Sequence, residues 1–310
     1  MLISLVICTR NRCSALRGCL ERIDRLESPG EWELVVVDNG STDGTADWLR
    51  SFAERSSVRV VLVSEPKPGL GGARNAGIAK ATGQIIAFTD DDCYVSPDFL
   101  IKILETFKDE RIGFMGGRIL LHDHTDLPVT TRQDTEIQVI GPKSFIHAGE
   151  LQGANMAVRH SLVMEIGGFD PKFGKGSLFR GGEDMDLQAR ASLNGATGIY
   201  DPGPLVWHNH GRKSREDFSA LTKDYGHCRG AYYAKFILNA QTRALFLKNW
   251  YRQTKKNLRH KQYLGILYEI VGAAHYILVH LFERTRNAGL LASEGRENPP
   301  AAVTSAKSKI

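Results

Sequence analysis

Short apolar runs alternate with segments of helical periodicity at the start of the chain, and this alternation restricts the fold more than any other feature. The apolar runs lie at 2–8, 33–37, 58–63 and 85–88. The segments between them, which carry apolar residues at helical spacing, lie at 14–26, 45–53 and 73–81. Because a helical crossover joins strands in parallel, the pattern predicts an α/β fold with a doubly wound, mostly parallel sheet flanked by helices. That architecture binds nucleotides in many proteins.

An acidic triplet, Asp90, Asp91 and Asp92, directly follows the apolar run 85–88. Neighbouring carboxylates repel one another, and open α/β sheets bind ligands at the carboxyl ends of their strands. Hard oxygen ligands suit Mg²⁺ or Mn²⁺, which in turn bridge phosphates. The triplet therefore predicts a metal site, and the alternative is a solvated acidic turn.

Two polar segments follow the first two predicted strands. Thr9, Arg10 and Asn11 come after the first, and Asp38 begins the segment 38–44 after the second. At a strand terminus, the carboxylate of Asp38 can accept hydrogen bonds from a base or a ribose. A turn residue is the alternative interpretation of Asp38.

A glycine-rich segment, 69–77, follows the third predicted strand and contains Gly71, Arg74 and Asn75. It does not match the dinucleotide fingerprint G-x-G-x-x-G, because Arg74 occupies the last glycine position. We expect instead a loop whose backbone approaches a ligand, with Arg74 opposing a phosphate or a base.

Two later segments also carry candidate chemistry. Glu183 and Asp184 begin a predicted helix directly after two glycines, so a carboxylate there could take a proton from an attacking hydroxyl. The ordinary alternative is favourable placement of acids at a helix N-terminus. His208 and His210 flank Asn209, and an imidazole beside carboxylates suits Mn²⁺. A structural role is the alternative for either histidine.

The charge distribution sets the C-terminal part apart. Residues 1–210 hold 22 Lys and Arg against 28 Asp and Glu, whereas residues 211–310 hold 18 against 7. A basic segment of this kind favours an anionic partner such as a phospholipid surface, and no nucleic-acid motif accompanies it. The five cysteines show no C-x-x-C pair, which indicates reduced thiols in a cytoplasmic protein.

The most apolar stretch, 264–282, is interrupted by Glu269, His275 and His280. Charged groups at mid-bilayer are costly, so we expect an amphipathic helix and not a spanning one. Packing on the domain and contact with a membrane surface both remain open. We predict a nucleotide-binding domain at 1–215, a basic helical C-terminal region at 216–287 and a disordered tail at 288–310.

Taken together, the segments at 7–11, 36–45, 73–77, 88–92 and 182–187 resemble the motifs of family-2 glycosyltransferases in order and spacing. The resemblance covers roughly residues 1–215 and implies a GT-A fold and a nucleotide-sugar donor. It implies that Thr9, Arg10, Asp38 and Arg74 surround the nucleotide. Asn11, Asn75 and Asp91 lie in the same motifs, and with Gly71 of the glycine-rich segment 69–77 they complete the expected nucleotide-binding set.

The resemblance also implies the reacting groups. Asp90 and Asp92 match the acids of the D-x-D motif, with Asp92 the better candidate for direct metal contact. Asp184 matches the general base, with Glu183 beside it. His208 falls at the position of a metal- or phosphate-contacting histidine, with His210 as the less certain alternative. The Q-x-x-R-W signature of processive members is absent, which favours addition of a single sugar.

The resulting prediction is an inverting glycosyltransferase that uses Mn²⁺ or Mg²⁺ and a nucleotide-diphosphate sugar, with a UDP-sugar preferred. Its acceptor would be a hydroxyl of a glycan, a lipid-linked molecule or a small molecule, in polysaccharide or glycoconjugate biosynthesis. We expect it in the cytoplasm, with peripheral contact at the inner membrane face. The alternatives are a nucleotidyltransferase and a catalytically silent scaffold that binds nucleotide sugars.

Overall fold

The computed structural model describes residues 1–27 and 30–294. Its strands are β1 (Ile3–Thr9), β2 (Trp32–Asp38), β3 (Arg59–Ser64), β4 (Ile85–Asp90), β5 (Cys93–Val95), β6 (Ile112–Leu121), β7 (Gln138–Ile140), β8 (Met156–Arg159) and β9 (Thr197–His208). Its α-helices are α1 (Cys13–Ile23), α2 (Thr45–Arg55), α3 (Leu70–Ile78), α4 (Phe99–Thr106), α5 (His160–Glu165), α6 (Glu183–Leu193), α7 (Arg215–Leu238), α8 (Arg243–Arg259) and α9 (Tyr263–Glu294).

A single sheet organises the α/β part of the chain, in the order β3-β2-β1-β4-β8-β6-β9-β5, with β7 paired to β9. The strands β1 to β4 are parallel to one another, as the alternating pattern predicts. The strands β5, β7 and β8 run antiparallel to their neighbours, while β6 and β9 are parallel. The predicted fold class, a mostly parallel α/β sheet flanked by helices, is confirmed.

Both faces of the central strands are buried, which explains their nearly continuous apolar runs. In β1, Leu5 and Ile7 point into a core shared with α1, α2 and α4, whereas Val6 points into a second core on the opposite face. The second core is closed by α3, α6 and the C-terminal helices. Helix α3 packs closely on the sheet, because a Cβ at Gly77 would lie 2.6 Å from a Val6 methyl carbon.

Strands β6 and β7 have weaker sequence patterns than β1 to β4. The strand β6 is interrupted by Gly113, Gly116 and Gly117, so its apolar pattern is weak. The structure explains two of these glycines, since a Cβ at Gly116 would meet Leu151 at 2.8 Å and one at Gly117 would meet Asn155 at 2.4 Å. The long segment between β6 and β8 also contains the short strand β7.

The C-terminal part is helical, as predicted. Helix α7 begins with a capping box, in which the Ser214 hydroxyl accepts from the Asp217 amide and the Asp217 carboxylate accepts from the Ser214 amide. Helix α9 continues to Glu294 and so enters the segment that the sequence predicts to be a disordered tail. Residues 295–310 of that predicted tail lie outside the described part of the chain.

Within the described part, the segment Tyr263–Arg286 of α9 is long and apolar enough to cross a membrane, judged by length and composition alone. Its Glu269 is fully buried against the protein. The carboxylate of Glu269 accepts from Arg229 Nε at 2.9 Å and from Trp250 Nε1 at 3.0 Å. The polar side of this helix therefore faces α7 and α8.

A partly buried lysine joins α7 to the α/β part of the chain. Lys235 Nζ lies 2.8 Å from Asp170 Oδ2 and 2.6 Å from Asp186 Oδ1. Asp186 is fully buried, and it also pairs with Arg190 at 2.8 Å. Burial opposes ionisation of Asp170, but Lys235 outweighs it and holds the pKa of that carboxyl below its ordinary value. Lys235 therefore compensates two carboxylates that lie away from water.

We expect Lys235→Met to lower the free energy of unfolding by about 3 kcal/mol, because it leaves Asp170 without its lysine and the fully buried Asp186 with Arg190 as its remaining cation. Urea denaturation measures this loss. Lys102→Met, which removes an exposed pair with Glu105 on α4, is the matched control and should change stability little. An equally small change for Lys235→Met would contradict the bridging role.

Candidate active site

The acidic triplet lies at the carboxyl end of β4, at the edge of the sheet where β1 and β2 also end. The structure brings one ligand atom from each of four side chains within 4.8 Å of one another, from Asp90, Asp92, Cys93 and His208. Two carboxylates and an imidazole are ligands that suit Mn²⁺. Burial raises the pKa of the Cys93 thiol well above its ordinary value, so Cys93 stays a neutral core residue beside the other three.

Asp92 is the most strongly held acid of the triplet. Its Oδ1 lies 3.3 Å from His208 Nε2, and its Oδ2 accepts from Arg12 Nη2 at 2.8 Å. Burial alone would raise the pKa of Asp92, but His208 and Arg12 outweigh it and hold the pKa well below the ordinary range. Burial likewise opposes protonation of His208, and Asp92 outweighs it and raises the pKa of His208. Asp92 is therefore ionised at neutral pH.

Asp91 connects the triplet to β1. Its Oδ2 accepts from the Thr9 hydroxyl at 2.7 Å, and its Oδ1 lies 3.3 Å from Arg12 Nε. Burial raises the pKa of Asp91 to about 6, although Arg12 and Thr9 both oppose the rise. Thr9 and Asp91 thus act together to hold the loop after β1 against the end of β4.

Arg74 links the cluster of Asp90, Asp92 and His208 to the start of α6. Its side chain is buried, and Nη1 donates to Glu183 Oε1 at 2.9 Å while Nη2 donates to Asp90 Oδ1 at 3.2 Å. The guanidinium also lies over the rings of Phe88 and Phe169. Burial raises the pKa of Glu183 to about 7, and Arg74 opposes that rise. Through these two ion pairs, Arg74 connects Asp90 of the acidic triplet to Glu183, the neighbour of the candidate base Asp184.

Asp184 stands in the first turn of α6, two residues after Gly182, which has a left-handed φ of 77°. Its Oδ2 accepts from the Gly153 amide at 2.8 Å and its Oδ1 from the Met185 amide at 2.7 Å. Each oxygen keeps a second lone pair, so the carboxylate can still accept a proton. Two backbone amides and the helix N-terminus hold it in place.

The structure places the remaining candidates of the first two loops at the rim. Arg10 and Asn11 are exposed, and Asn11 Oδ1 accepts from the Thr42 amide at 2.7 Å. Asp38 Oδ1 accepts from the Ser41 amide at 2.9 Å, which is the turn that the sequence leaves as the alternative. These contacts join the loops after β1 and β2 to each other.

The contacts of the glycine-rich segment are with the protein. A Cβ at Gly71 would lie 2.9 Å from the Phe173 carbonyl oxygen, so the bare face of Gly71 packs against the loop before α6. Asn75 Nδ2 donates to the Phe169 carbonyl at 2.8 Å, and its Oδ1 accepts from the Phe169 amide at 2.7 Å. Gly71 and Asn75 thus fix the loop that follows α5, and only Arg74 of this segment reaches the acids.

His208 and His210 have different partners, and only His208 lies beside the acidic triplet. His208, the last residue of β9, joins the cluster, whereas His210 pairs through Nδ1 with Asp126 Oδ2 at 3.4 Å. Both side chains of the His210–Asp126 pair are fully buried. His210 is not among the clustered ligands in the described part of the chain, because it lies past the end of the strand.

Two arginines were not singled out from the sequence. Arg12 pairs with both Asp91 and Asp92, and the only sequence signal is a second arginine in the segment 9–12. The Nη1 atom of Arg212 is buried without a hydrogen-bond partner in the described part of the chain. Arg212 also opposes the rise in the pKa of Tyr225 that burial causes, and Asp184 adds to that rise. Arg212 and Asp184 therefore both lie close enough to Tyr225 to affect its pKa.

Comparison with known proteins decides the family. Residues 4–167, more than half of the chain, match the sequence family described as glycosyl transferase family 2. The chain belongs to this family. The match includes the loops after β1, β2 and β4 and ends before α6, which carries Asp184.

Curated relatives are similar over part of their length. The glycosyltransferase AglE of Haloferax volcanii is 27% identical over 168 residues, which cover 54% of this chain and 55% of that protein. The pre-mycofactocin glycosyltransferase of Mycobacterium tuberculosis is 28% identical over 233 residues, covering 72% of this chain and 46% of that protein. The chain thus spans about half the length of these two relatives.

Solved structures share the fold. The mannosyltransferase PcManGT from Pyrobaculum calidifontis, in complex with GDP-Man and Mn²⁺, matches with a TM-score of 0.61 at 21% identity, over 95% of this chain and 79% of that one. Staphylococcus aureus TarS 1-349, in complex with UDP-GlcNAc, matches with a TM-score of 0.59 at 18% identity, over 79% of this chain and 69% of that one. The GT-A architecture predicted from the motifs is confirmed.

We expect Arg74→Met to lower the free energy of unfolding by about 3 kcal/mol, because Glu183 and Asp90 lose their buried cation. The double variant Arg74→Met/Glu183→Gln should recover part of this loss, giving a coupling free energy of about 1 kcal/mol or more between the two sites. Denaturant unfolding of the four proteins in the cycle measures it. A second cycle on the exposed pair Arg111–Asp109 is the control and should show no measurable coupling. Strictly additive losses of stability at Arg74 and Glu183 would contradict a stabilising ion pair between them.

Proposed function

We propose that this protein is an inverting, metal-dependent glycosyltransferase that transfers a single sugar from a nucleotide-diphosphate sugar to an acceptor hydroxyl. One observation carries the proposal. The side chains of Asp90, Asp92 and His208 form one cluster, and Arg74 joins that cluster to Glu183, the neighbour of Asp184. A site for the leaving group and a candidate base therefore lie in a single constellation.

The donor atoms of the cluster fit a divalent cation. Asp90, Asp92 and His208 offer two carboxylates and an imidazole, the set that Mn²⁺ accepts, and Mg²⁺ would use the carboxylates. We propose Asp92 as the principal ligand because it is buried and ionised. When bound, the ion would neutralise the negative charge of the diphosphate leaving group.

The transfer step is a single displacement in which Asp184 acts as the general base. The acceptor hydroxyl attacks the anomeric carbon on the face opposite the diphosphate, and its proton passes to the Asp184 carboxylate. A bond forms between the acceptor oxygen and the anomeric carbon, while the bond from that carbon to the diphosphate oxygen breaks and its electron pair leaves with the diphosphate. The configuration of the sugar inverts, by the geometry that inverting hydrolases use.

We propose that the side chains at the rim hold the nucleotide. Thr9, Arg10, Asn11 and Asp38 stand at the ends of β1 and β2, beside the acids. Arg12 and Arg212 would add positive charge facing the diphosphate, and the buried unpartnered Nη1 of Arg212 supports this role. The nucleotide sugars bound by TarS and PcManGT carry UDP and GDP, and either base is compatible with these contacts.

The structure constrains the identity of the acceptor less than that of the donor. The segment between β6 and β7 contributes His122 and His124 to a cavity of about 390 Å³, which Trp207 of β9 also lines. A planar indole and polar side chains suit a saccharide face, so we propose a glycan or lipid-linked acceptor and a role in polysaccharide or glycoconjugate biosynthesis. The basic C-terminal region supports a place at the cytoplasmic face of a membrane.

Asp184→Asn should lower the rate at which UDP is released from UDP-GlcNAc, or GDP from GDP-mannose, by about 100-fold or more with water as the acceptor. The amide cannot take the proton, while the leaving-group site stays intact. Coupled detection of the released nucleotide with Mn²⁺ present measures the rate for the wild type and the variant.

Two variants complete this test. Asp47→Asn, at an exposed side chain of α2, is the matched control and should keep the wild-type rate. Asp92→Asn should instead raise the Mn²⁺ concentration needed for half the maximal rate. Near-full turnover by Asp184→Asn would remove Asp184 from the role of base.

The stereochemical course gives a separate prediction. Because the displacement is single, an α-linked donor such as UDP-GlcNAc should first release the β-anomer of the sugar. Proton NMR of the anomeric signal, recorded before mutarotation is complete, distinguishes the two anomers. Initial release of the α-anomer would require two successive displacements and would contradict the proposed mechanism.

A further inference from the structure

Helix α9 has its polar side inward and its apolar side outward. Inward, Glu269 pairs with Arg229, His275 Nδ1 lies 3.1 Å from His227 Nε2, and Glu283 pairs with Lys172. Outward lie seven large apolar side chains, each about half or more exposed, which we call the outer face of α9: Leu264, Leu267, Ile270, Val271, Leu278, Leu281 and Phe282. A helix that only closed the core of a water-exposed domain would have the opposite arrangement.

The orientation of α9 is fixed by close packing on α7. A Cβ at Gly230 would overlap the Glu269 carbonyl, and one at Gly272 would overlap the His227 carbonyl, so the two backbones touch at both glycines. The Glu269 carboxylate is held by α7 through Arg229 and by α8 through Trp250. Rotation of α9 to bury its outer face would break these contacts, so the apolar residues stay on the surface.

The surface beside this face is cationic. Helix α8 and the turn after it contain no acidic residue. Their exposed basic side chains are Arg243, Lys248, Arg252, Lys255, Lys256, Arg259 and Lys261. Exposed Tyr251 and Tyr263 also lie here, and tyrosine favours the boundary between lipid and water. Two copies of the chain docked through α9 would bring these cations together, whereas anionic lipid headgroups would neutralise them.

We propose that the outer face of α9 docks on an anionic phospholipid bilayer, with the helix lying in the plane of the membrane surface. The apolar residues from Leu264 to Phe282 span about 27 Å along the helix and would enter the boundary between headgroups and acyl chains. The basic residues of α8 would contact the phosphates. A spanning arrangement would separate Glu269 from Arg229 and Trp250 or carry the charged α7 into the bilayer, and the in-plane arrangement does neither.

This inference rests on the proposed function for placing the enzyme at the cytoplasmic face of a membrane, and it identifies the element that makes the contact. A lipid-linked acceptor would then be presented from the same surface on which the enzyme is held. The test needs no nucleotide, metal or acceptor, so its failure would leave the transferase proposal standing, and loss of transferase activity would leave this inference untouched.

The experiment is co-sedimentation of the full chain with phosphatidylcholine vesicles, with and without phosphatidylglycerol. We expect binding to the anionic vesicles, and a reduction of the partition coefficient by about tenfold or more for Val271→Glu/Leu278→Glu, which places charge on the outer face. Both positions are exposed, so the variant should keep the wild-type circular dichroism and melting temperature. Lys255→Glu/Lys256→Glu should weaken binding to the anionic vesicles by a similar factor.

Met164→Glu is the matched control, because Met164 is a 60% exposed apolar residue of α5. It should bind vesicles as the wild type does. The inference is overturned if the full chain stays in the supernatant, or if Val271→Glu/Leu278→Glu binds as well as Met164→Glu. It is also overturned if light scattering shows a dimer in the absence of lipid that the outer-face variant converts to a monomer, since the face would then serve a second copy.

Discussion

The buried guanidinium of Arg74 is the interaction on which the site depends. It carries its charge from α3 into a region closed by Phe88 and Phe169, and there it meets Asp90 at the end of β4 and Glu183 at the start of α6. Burial raises the pKa of Glu183 to about 7, and the guanidinium opposes that rise. The same guanidinium approaches the Gly153 carbonyl, 3.4 Å away, while the Gly153 amide holds Asp184. Three distant parts of the sequence are thereby fixed around one centre.

The sequence predicts the first half of the fold well because its signal is local. Strands β1, β2 and β4 are buried on both faces and helices α1 and α2 are amphipathic, so length and period identify them. The antiparallel half depends on tertiary packing. Strand β6 holds three glycines, and Gly116 and Gly117 are needed because Leu151 and Asn155 occupy the space of their side chains. No local pattern reveals that requirement.

In the candidate site, too, some residues can be identified from local sequence and others only from tertiary contacts. The acids Asp90, Asp92 and Asp184 can be found from motifs because their chemistry requires these residue types at strand ends and helix starts. The roles of Arg12 and Asn75 follow from contacts between residues that are far apart in the sequence, with Asp92 and Phe169 respectively. The choice between His208 and His210 depends on where β9 ends, and His210 is taken by Asp126. The side of α9 that faces the protein likewise depends on Arg229 and Trp250, which only the fold brings to Glu269.

The most direct test of the account is calorimetric titration of the full chain with UDP, GDP and dTDP, each in Mn²⁺ and in EDTA. If the cluster of Asp90, Asp92 and His208 holds a cation that bridges the diphosphate, one nucleotide should bind about tenfold or more tightly with Mn²⁺ than without it. Binding of equal strength in EDTA, or no binding of any nucleotide by the folded protein, would contradict a metal-dependent nucleotide-sugar site.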